Sequence, residues 1–338
     1  MTRPPFLAEL ASRRGLFEAR SRFLHALRCF FRRRGFLEVD APLLVPAAGM
    51  EPHLDPFEAA GWATGALAFL PTSPEFYLKK LVASGVERCF CLGPAFRDEE
   101  PGRGHSPEFL MLEWYRAGED HRRLLSDCGA LLGAVGREFL DGALLQREGL
   151  LCDLAAPPEA IPLAEAFRRW VGRDWRDLNT EDQWRALARA HGGGAERWEI
   201  NDCFSYLMVG VVEPALRAVP HPVALVGYPA FQAALARLDP EDPRVCERFE
   251  LFVAGVELAN AYTELTDGAQ QRERYARFQE ERRAAGKTPH PPDPEFLAAV
   301  DHLPPCAGVA LGADRLLALL LGETVPRVRH GVPGAATT

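Results

Sequence analysis

Two runs with strand character, RCFCLGPAF (88–96) and LMLEWYRA (110–117), flank the loop RDEEPGRGHSPEF (97–109), whose Gly and Pro residues break any regular element. A strand–loop–strand of this length makes a long hairpin, so the two runs pair antiparallel. This feature constrains the fold more than any other, because a sheet that grows from such a hairpin is antiparallel at its centre. Pro94 within the first run sets a condition of its own. It lacks an N–H, so its outer flank must lie at a sheet edge or a bulge.

The flanking segments extend the same picture. Leu16, Phe23, Leu27 and Phe30 recur at helical spacing, and Gly35 is placed to end that helix. GFLEVDAPLL follows as a short strand that runs into Pro42. Residues 126–217 have a mainly helical pattern, broken by AAPPEAIP and HGGG. PVALVGYP and RFELFVAGVELANAY return to strand character, LTDGAQQRERYARFQEERRAAG is a polar helix, and KTPHPPDP is a surface loop. GVALG then runs into the helix ADRLLALLLG. The expected class is α+β, a mostly antiparallel sheet flanked by helices. The expected organisation is an arm over 1–15 and one domain over 16–338, with the helical stretch as an insertion.

Composition excludes several classes. The 338 residues are 47% hydrophobic and 25% charged, enough for a full core. No run is long and apolar enough for a membrane span, and MTRPPFLAELASRRG lacks the apolar core of a signal peptide. A cytoplasmic protein is expected, with the eight scattered cysteines as free thiols. The net charge of −8 argues against a nucleic-acid surface. Nine arginines against four acids in residues 1–40 make a basic stretch, either a solvated helix face or a partner-facing one.

Three short patterns carry chemistry when taken together. Gly35, Phe36, Val39 and Pro42 follow the amphipathic helix; Phe96, Arg97, Glu99, His105 and Phe109 span the hairpin loop; GVALGADRL runs from Gly308 to Leu316. In this order they resemble motifs one, two and three of class II aminoacyl-tRNA synthetases. The resemblance implies that family's antiparallel sheet, dimerisation through motif one and amino-acid activation by ATP. Arg97 would bridge the substrate carboxylate and the α-phosphate, two anions that otherwise repel. Glu99 would accept from the adenine amine. Phe109 and Arg315 would sandwich the purine, His105 would reach the terminal phosphates, and Gly312 would admit the nucleotide closely. Asp98 and Ser106 belong to the same ATP-facing loop, at positions where relatives often carry Asn.

The wider segments TSPEFYLKKL, FRDEEPGRGHSPEFLMLEWY and GVELANAYTELTD resemble the lysyl branch. By that resemblance Glu113, Tyr115 and Glu264 would meet the distal ammonium of a lysine. Ser73, Pro74 and Glu75 would lie near its other amine, and Asn260 at its polar head. Several acids converging on one pocket suit a cationic ligand. The resemblance also gives Glu257 and Leu258 to ATP, and Glu250 with Glu257 to Mg²⁺. Glu250, Glu257 and Glu264 are seven apart, so strict strand alternation would set neighbours on opposite faces. A turn or bulge must intervene if all are to share one site.

Two departures separate the chain from lysyl-tRNA synthetases. About fifteen residues precede the first helix, too few for an anticodon-binding barrel. Ala310 also replaces the middle Gly of the third motif, adding a methyl to the amino-acid pocket. Both features resemble the elongation factor P–(R)-β-lysine ligases. The implied partners are (R)-β-lysine or lysine, ATP and translation elongation factor P, with a homodimer expected and tRNA not expected. The rival readings are a free-standing synthetase that charges tRNA or a small carrier, and a non-catalytic amino-acid-binding regulator.

Overall fold

In the computed structural model, which describes residues 4–60, 67–98 and 104–329, helix α1 (Arg14–Arg32) turns one apolar stripe inward. Phe23, Leu27, Phe30 and Phe31 are buried on it, and the Phe31 ring stacks on Phe90 at a centroid distance of 4.8 Å. Gly35 then turns the chain with φ +74°, a conformation that glycine adopts without steric cost. The residues expected as an arm are helical over Pro5–Ser12, and α1 starts at Arg14 rather than Leu16. An Arg14–Glu18 pair one turn apart, at 2.8 Å, supports that early start.

Eight strands form the main sheet: β1 (Leu37–Glu38), β2 (Arg88–Phe96), β3 (Glu108–Ala117), β4 (Glu159–Pro162), β5 (Val223–Pro229), β6 (Val245–Val253), β7 (Val256–Thr263) and β8 (Cys306–Gly312). Their spatial order is β1-β2-β3-β8-β7-β6-β5-β4, antiparallel except for the two outermost pairs. The fold is therefore α+β with a mostly antiparallel sheet. β2 and β3 are the expected hairpin, in register from Arg88 opposite Arg116 to Phe96 opposite Glu108. β1 pairs only with Cys89 and Phe90, so Pro94 lies where β2 has no outer strand and breaks no ladder.

Alternation sorts the central strands into two faces. Leu112, Trp114, Val309, Leu311, Ala259 and Ala261 join the main core. The same core holds α1, α3 (His121–Phe139) and α6 (Ala313–Leu321), through residues such as Leu131, Leu132, Leu316 and Leu317. The other face carries polar rows. Glu113, Ala310, Asn260 and Glu250 are direct neighbours across β3, β8, β7 and β6; Tyr115, Gly308, Tyr262 and Arg248 form the next row. Helix α2 (Glu75–Ala83) borders this face, and α4 (Gly268–Ala284) and α5 (Pro294–Val300) follow β7.

Residues 126–217 are less uniformly helical than expected. After α3 comes a hairpin, Leu144–Arg147 with Leu150–Asp153, closed by Glu148 and Gly149 at φ +51° and +81°. Positive φ at both turn residues matches the twist of the two strands. The apparent break AAPPEAIP supplies β4, whose one proline, Pro162, is tolerated at the end of an edge strand. The helices that follow pack a second core around Phe167, Trp184, Phe204 and Leu207. The expected surface loop KTPHPPDP is also tied down. His290 and Asp293 are buried, and Asp293 caps α5 by accepting from the Phe296 N–H at 2.8 Å.

The basic stretch is largely satisfied within the chain. Arg28 and Arg32 share Glu38 at 2.7 and 2.6 Å, Arg20 pairs with Asp314, and Arg34 lies over the Phe30 ring.

One buried pair fastens β3 to α3. Arg116 donates from Nε and Nη2 to Asp127 at 2.5 and 2.9 Å, with both residues 3% exposed. Removing one member leaves the other charge buried without its partner, which costs about 3–5 kcal/mol. Asp127→Ala should therefore lower stability to unfolding in urea by that order. Replacing both by apolar residues should cost much less, and equal losses in the two proteins would contradict this role for the pair.

Candidate active site

A cavity opens over the polar face of β3, β8 and β7. Its lining includes Ser73, Glu75, Arg97, His105, Ser106, Phe109, Glu113, Tyr115, Glu257, Leu258, Asn260, Ala310, Gly312 and Arg315. Most residues singled out in the sequence thus meet in one place. Pro74 precedes the first residue of α2 and does not itself line the cavity. Asp98 is also outside the lining; its N–H donates to the Asp55 carbonyl at 2.8 Å. Glu99 lies outside the described residues.

One end of the cavity is built from acids. Glu113 accepts from Ser73 Oγ at 2.7 Å and from the Tyr115 hydroxyl at 2.9 Å. Ser73 Oγ in turn accepts from the Glu75 N–H at 2.9 Å, which fixes the start of α2 against β3. Glu75 accepts from the Tyr262 hydroxyl and from Lys79 Nζ. Glu264 follows β7 and is 1% exposed; its Oε2 lies 2.5 Å from Lys79 Nζ, while Oε1 has no hydrogen-bond partner among the described residues. A methyl on Gly308 would fall 2.6 Å from that oxygen and 2.3 Å from the Tyr115 ring, so only glycine lets the two groups close over the strand. Burial, with Glu75 nearby, pushes the carboxyls of Glu113 and Glu264 up to about 8. The three acids at this end outnumber its cation, Lys79.

The other end presents cations and a ring. Arg97 lies 5.1 Å from the Phe109 ring centroid, and its buried Nε has no hydrogen-bond partner among the described residues. Arg315 at the start of α6 donates to the Glu257 carbonyl at 2.9 Å, and its guanidinium is 3.6 Å from the Glu257 carboxylate. Two guanidinium groups beside an aromatic ring suit a planar, anionic ligand.

The spacing problem among the three glutamates is resolved by local irregularities. The two-residue turn at Ala254 and Gly255 separates Glu250 from Glu257. The β6–β7 register shifts between Leu251 and Phe252, opposite Glu257 to Ala259. Leu258 and Ala259 consequently both join the core, and Glu257 and Asn260 both reach the cavity. Glu250 shares the polar face but not the lining. Its oxygens are taken by the Tyr228 hydroxyl at 2.6 Å and by Arg248 at 2.5 Å. Among the described residues, no group of three His, Cys, Asp or Glu is arranged to hold a metal ion.

Several contributors escaped the sequence reading. Glu51 lines the cavity near Arg97 and Glu75, and burial raises its carboxyl. Glu213 is pushed up to about 7 by burial and by Glu257 and Glu250. Asp314, 1% exposed, accepts from the Leu110 N–H at 2.7 Å, pairs with Arg20, and lies 3.5 Å from Arg329. One carboxylate thus ties α1 to the strand that carries Phe109 and to the turn that carries Arg315. Its place beside Arg315 in GADR was the available signal, as the four-residue interval from Glu75 was for Lys79.

Comparison with known proteins gives this geometry a lineage. The family model for class II tRNA synthetases (D, K and N) matches residues 9–329. The elongation factor P–(R)-β-lysine ligase of Vibrio cholerae is 38% identical over 315 residues, covering 90% of each chain. The enzyme of that name from Erwinia tasmaniensis is 39% identical over 310 residues, covering 89% of this chain and 90% of its own. With its antiparallel sheet, its second and third motifs around one cavity and these matches along nearly its whole length, the chain belongs to the class II tRNA synthetase family (D, K and N).

Proposed function

We propose that the protein is an ATP-dependent ligase that activates (R)-β-lysine as its adenylate and transfers it to the ε-amine of a lysine on translation elongation factor P. The observation that carries the amino-acid assignment is buried Glu113 in the same cavity as Arg97, Phe109 and Arg315, with Glu264 Oε1 unsatisfied just behind the lining residue Gly308. A cationic side chain answers the first group of residues and a nucleotide the second. The names of the relatives supply the β-amino acid and the acceptor.

In the first step a substrate carboxylate oxygen attacks the α-phosphorus of ATP and pyrophosphate leaves. Arg97 holds both anions in line and offsets the charge that builds on the α-phosphate. Phe109 and Arg315 clamp the purine, with His105 and Ser106 towards the phosphates. Glu113, Tyr115 and Glu264 hold the distal ammonium, Ser73 and Glu75 the other amine, and Asn260 the polar head. In the second step the deprotonated acceptor amine attacks the acyl carbon, AMP leaves with the bonding electron pair, and an isopeptide bond remains.

Glu257, which lines the cavity, would hold Mg²⁺, whereas the oxygens of Glu250 are already taken by Tyr228 and Arg248 and do not fit that role. Burial raises Glu250 and Glu213, and repulsion from Glu257 adds to the rise in each, so this edge favours added positive charge. When bound, the ion would neutralise the ATP phosphates. A homodimer is the assembly favoured by the exposed apolar side chains of Leu37, Leu43 and Leu44 beside edge strand β1.

Incubation with ATP, Mg²⁺ and (R)-β-lysine should add one β-lysyl mass to elongation factor P, read by intact-mass spectrometry. Charging of tRNA in place of that product would overturn the acceptor assignment. Arg97→Ala should lower pyrophosphate exchange by about a hundredfold or more.

Protons compete with the substrate ammonium for Glu113 and Glu264. With both carboxyls raised to about 8, acidification from pH 8 keeps them protonated and weakens lysine binding. The KM for the amino acid should rise as pH falls from 8 to 6, by up to about tenfold per unit for each proton displaced. A flat profile would mean that these carboxyls do not meet an ammonium.

Ala310 lies between Glu113 and Asn260 in one row, so its methyl projects where the substrate backbone must pass. One methyl is worth roughly 1–3 kcal/mol in discrimination. Ala310→Gly should raise kcat/KM for α-lysine relative to (R)-β-lysine by about tenfold or more while leaving the KM for ATP within about twofold. An unchanged ratio would remove Ala310 from the amino-acid site.

A further inference from the structure

Lys79 stands one helical turn after Glu75 on α2 and is 2% exposed. Its ammonium is 2.6 Å from Glu75 Oε1 and 2.5 Å from Glu264 Oε2. The ring centroids of Tyr262 and Phe296 lie 5.4 and 5.9 Å away. Neither Lys79 nor Glu264 is part of the cavity lining, which Glu75 and Glu113 do enter. Glu264 Oε1 lies just behind the lining at Gly308, so a ligand meets Glu75 and Glu113 first, with Glu264 beneath them.

The surrounding groups can be weighed by charge. Glu75 faces Lys79 from its own helix, Glu264 and Tyr262 from β7 and its end, Glu113 and Tyr115 from β3, and the Cys306 thiol from β8. At the opposite end Glu51 lies within electrostatic reach of Arg97. Four carboxyl groups are thus set against two cations, so two of the acids can ionise only against an added positive charge.

We propose that Lys79 is a positioning residue whose fixed charge favours the carboxylate form of Glu264 and tunes the cavity to a ligand with two ammonium groups. Without it a third acid would lack a compensating charge in a buried wall, and Glu264 would hold its proton more strongly against a ligand contact. With it, a diamino acid fills the deficit with its two amines while its carboxylate turns to Arg97. Burial disfavours the ammonium, yet Glu264 and Glu75 more than offset this and hold Lys79 above the ordinary lysine value. The inference deepens the ligase reading and rests on it.

The test is pyrophosphate exchange with (R)-β-lysine and with α-lysine, comparing wild type, Lys79→Met and Lys79→Arg across pH 6.5–8.5. Lys79→Met keeps the length and loses the charge. Its KM for the amino acid should rise about tenfold or more at pH 7, the equivalent of one pKa unit. Its KM for ATP should stay within about twofold, and the deficit should shrink towards pH 8.5 as the added proton leaves. A deficit that is independent of pH, or a loss shared equally by ATP and amino acid, overturns the proposal and leaves Lys79 a packing residue. Lys79→Arg retains the charge and should keep the wild-type pH profile even if its KM changes. A profile in Lys79→Arg that steepens towards low pH overturns the proposal whether or not Lys79→Met folds. Absence of lysine-dependent exchange in the wild type would instead defeat the ligase reading itself.

Discussion

The register of β3, β8 and β7 is the constraint on which the rest depends. Side chains on a strand alternate with period two, so a slip by one residue between neighbours reverses which set meets the core. In the observed register Trp114, Val309 and Ala261 face the helices while Tyr115, Gly308 and Tyr262 face the cavity. A slip of β3 would put Glu113 among Leu131 and Leu316 and expose Trp114. The apolar core and the polar site are thus specified by the same pairings, and neither can be altered without disturbing the other.

That arrangement sets a wall of carboxylates on a sheet backed by a dry core. Burying an ionised carboxylate is costly unless it is paired or hydrogen-bonded. Glu113 is satisfied by Ser73 and Tyr115, Glu75 by Tyr262 and Lys79, and Glu264 only in part. The unsatisfied remainder is a reservoir of binding free energy for a cation. Gly308 allows this density of charge, because any side chain there would separate Glu264 from Tyr115. Asp314 has a comparable role towards the nucleotide end, where it joins α1, β3 and α6 through one buried carboxylate.

Much of this was legible in the sequence, for identifiable reasons. The β2–β3 hairpin announced itself through two strand-like runs and a loop rich in breakers, and α1 through its apolar stripe. Arg97, Phe109 and Arg315 stood in contiguous motifs, so their meeting followed once the motifs were placed together. What stayed hidden depended on tertiary context. β4 was disguised by Pro157 and Pro158 just before it and by Pro162 at its end, which an edge position tolerates. The Glu148–Gly149 turn lacks the Asn or Asp that usually marks such hairpins. Glu213 belongs to a segment remote in sequence from Glu250 and Glu257, and only the packing of the second core carries it towards them. Glu250 illustrates the converse: its face was foreseeable, but its capture by Tyr228 and Arg248 was not.

The extra residue at Leu258 has a consequence for how sequences of this kind can drift. Upstream of it, chain position and face obey one parity; downstream they obey the other. Deleting a residue elsewhere in the strand, such as Ala261, would put Asn260 and Tyr262 on opposite faces, whereas deleting Leu258 would only remove the bulge and keep Glu257 and Asn260 on the cavity face. Substitutions along β7 are local events, whereas insertions and deletions within it act on every residue to one side. The strand thus accepts changes of spelling and, outside the bulge, refuses changes of length.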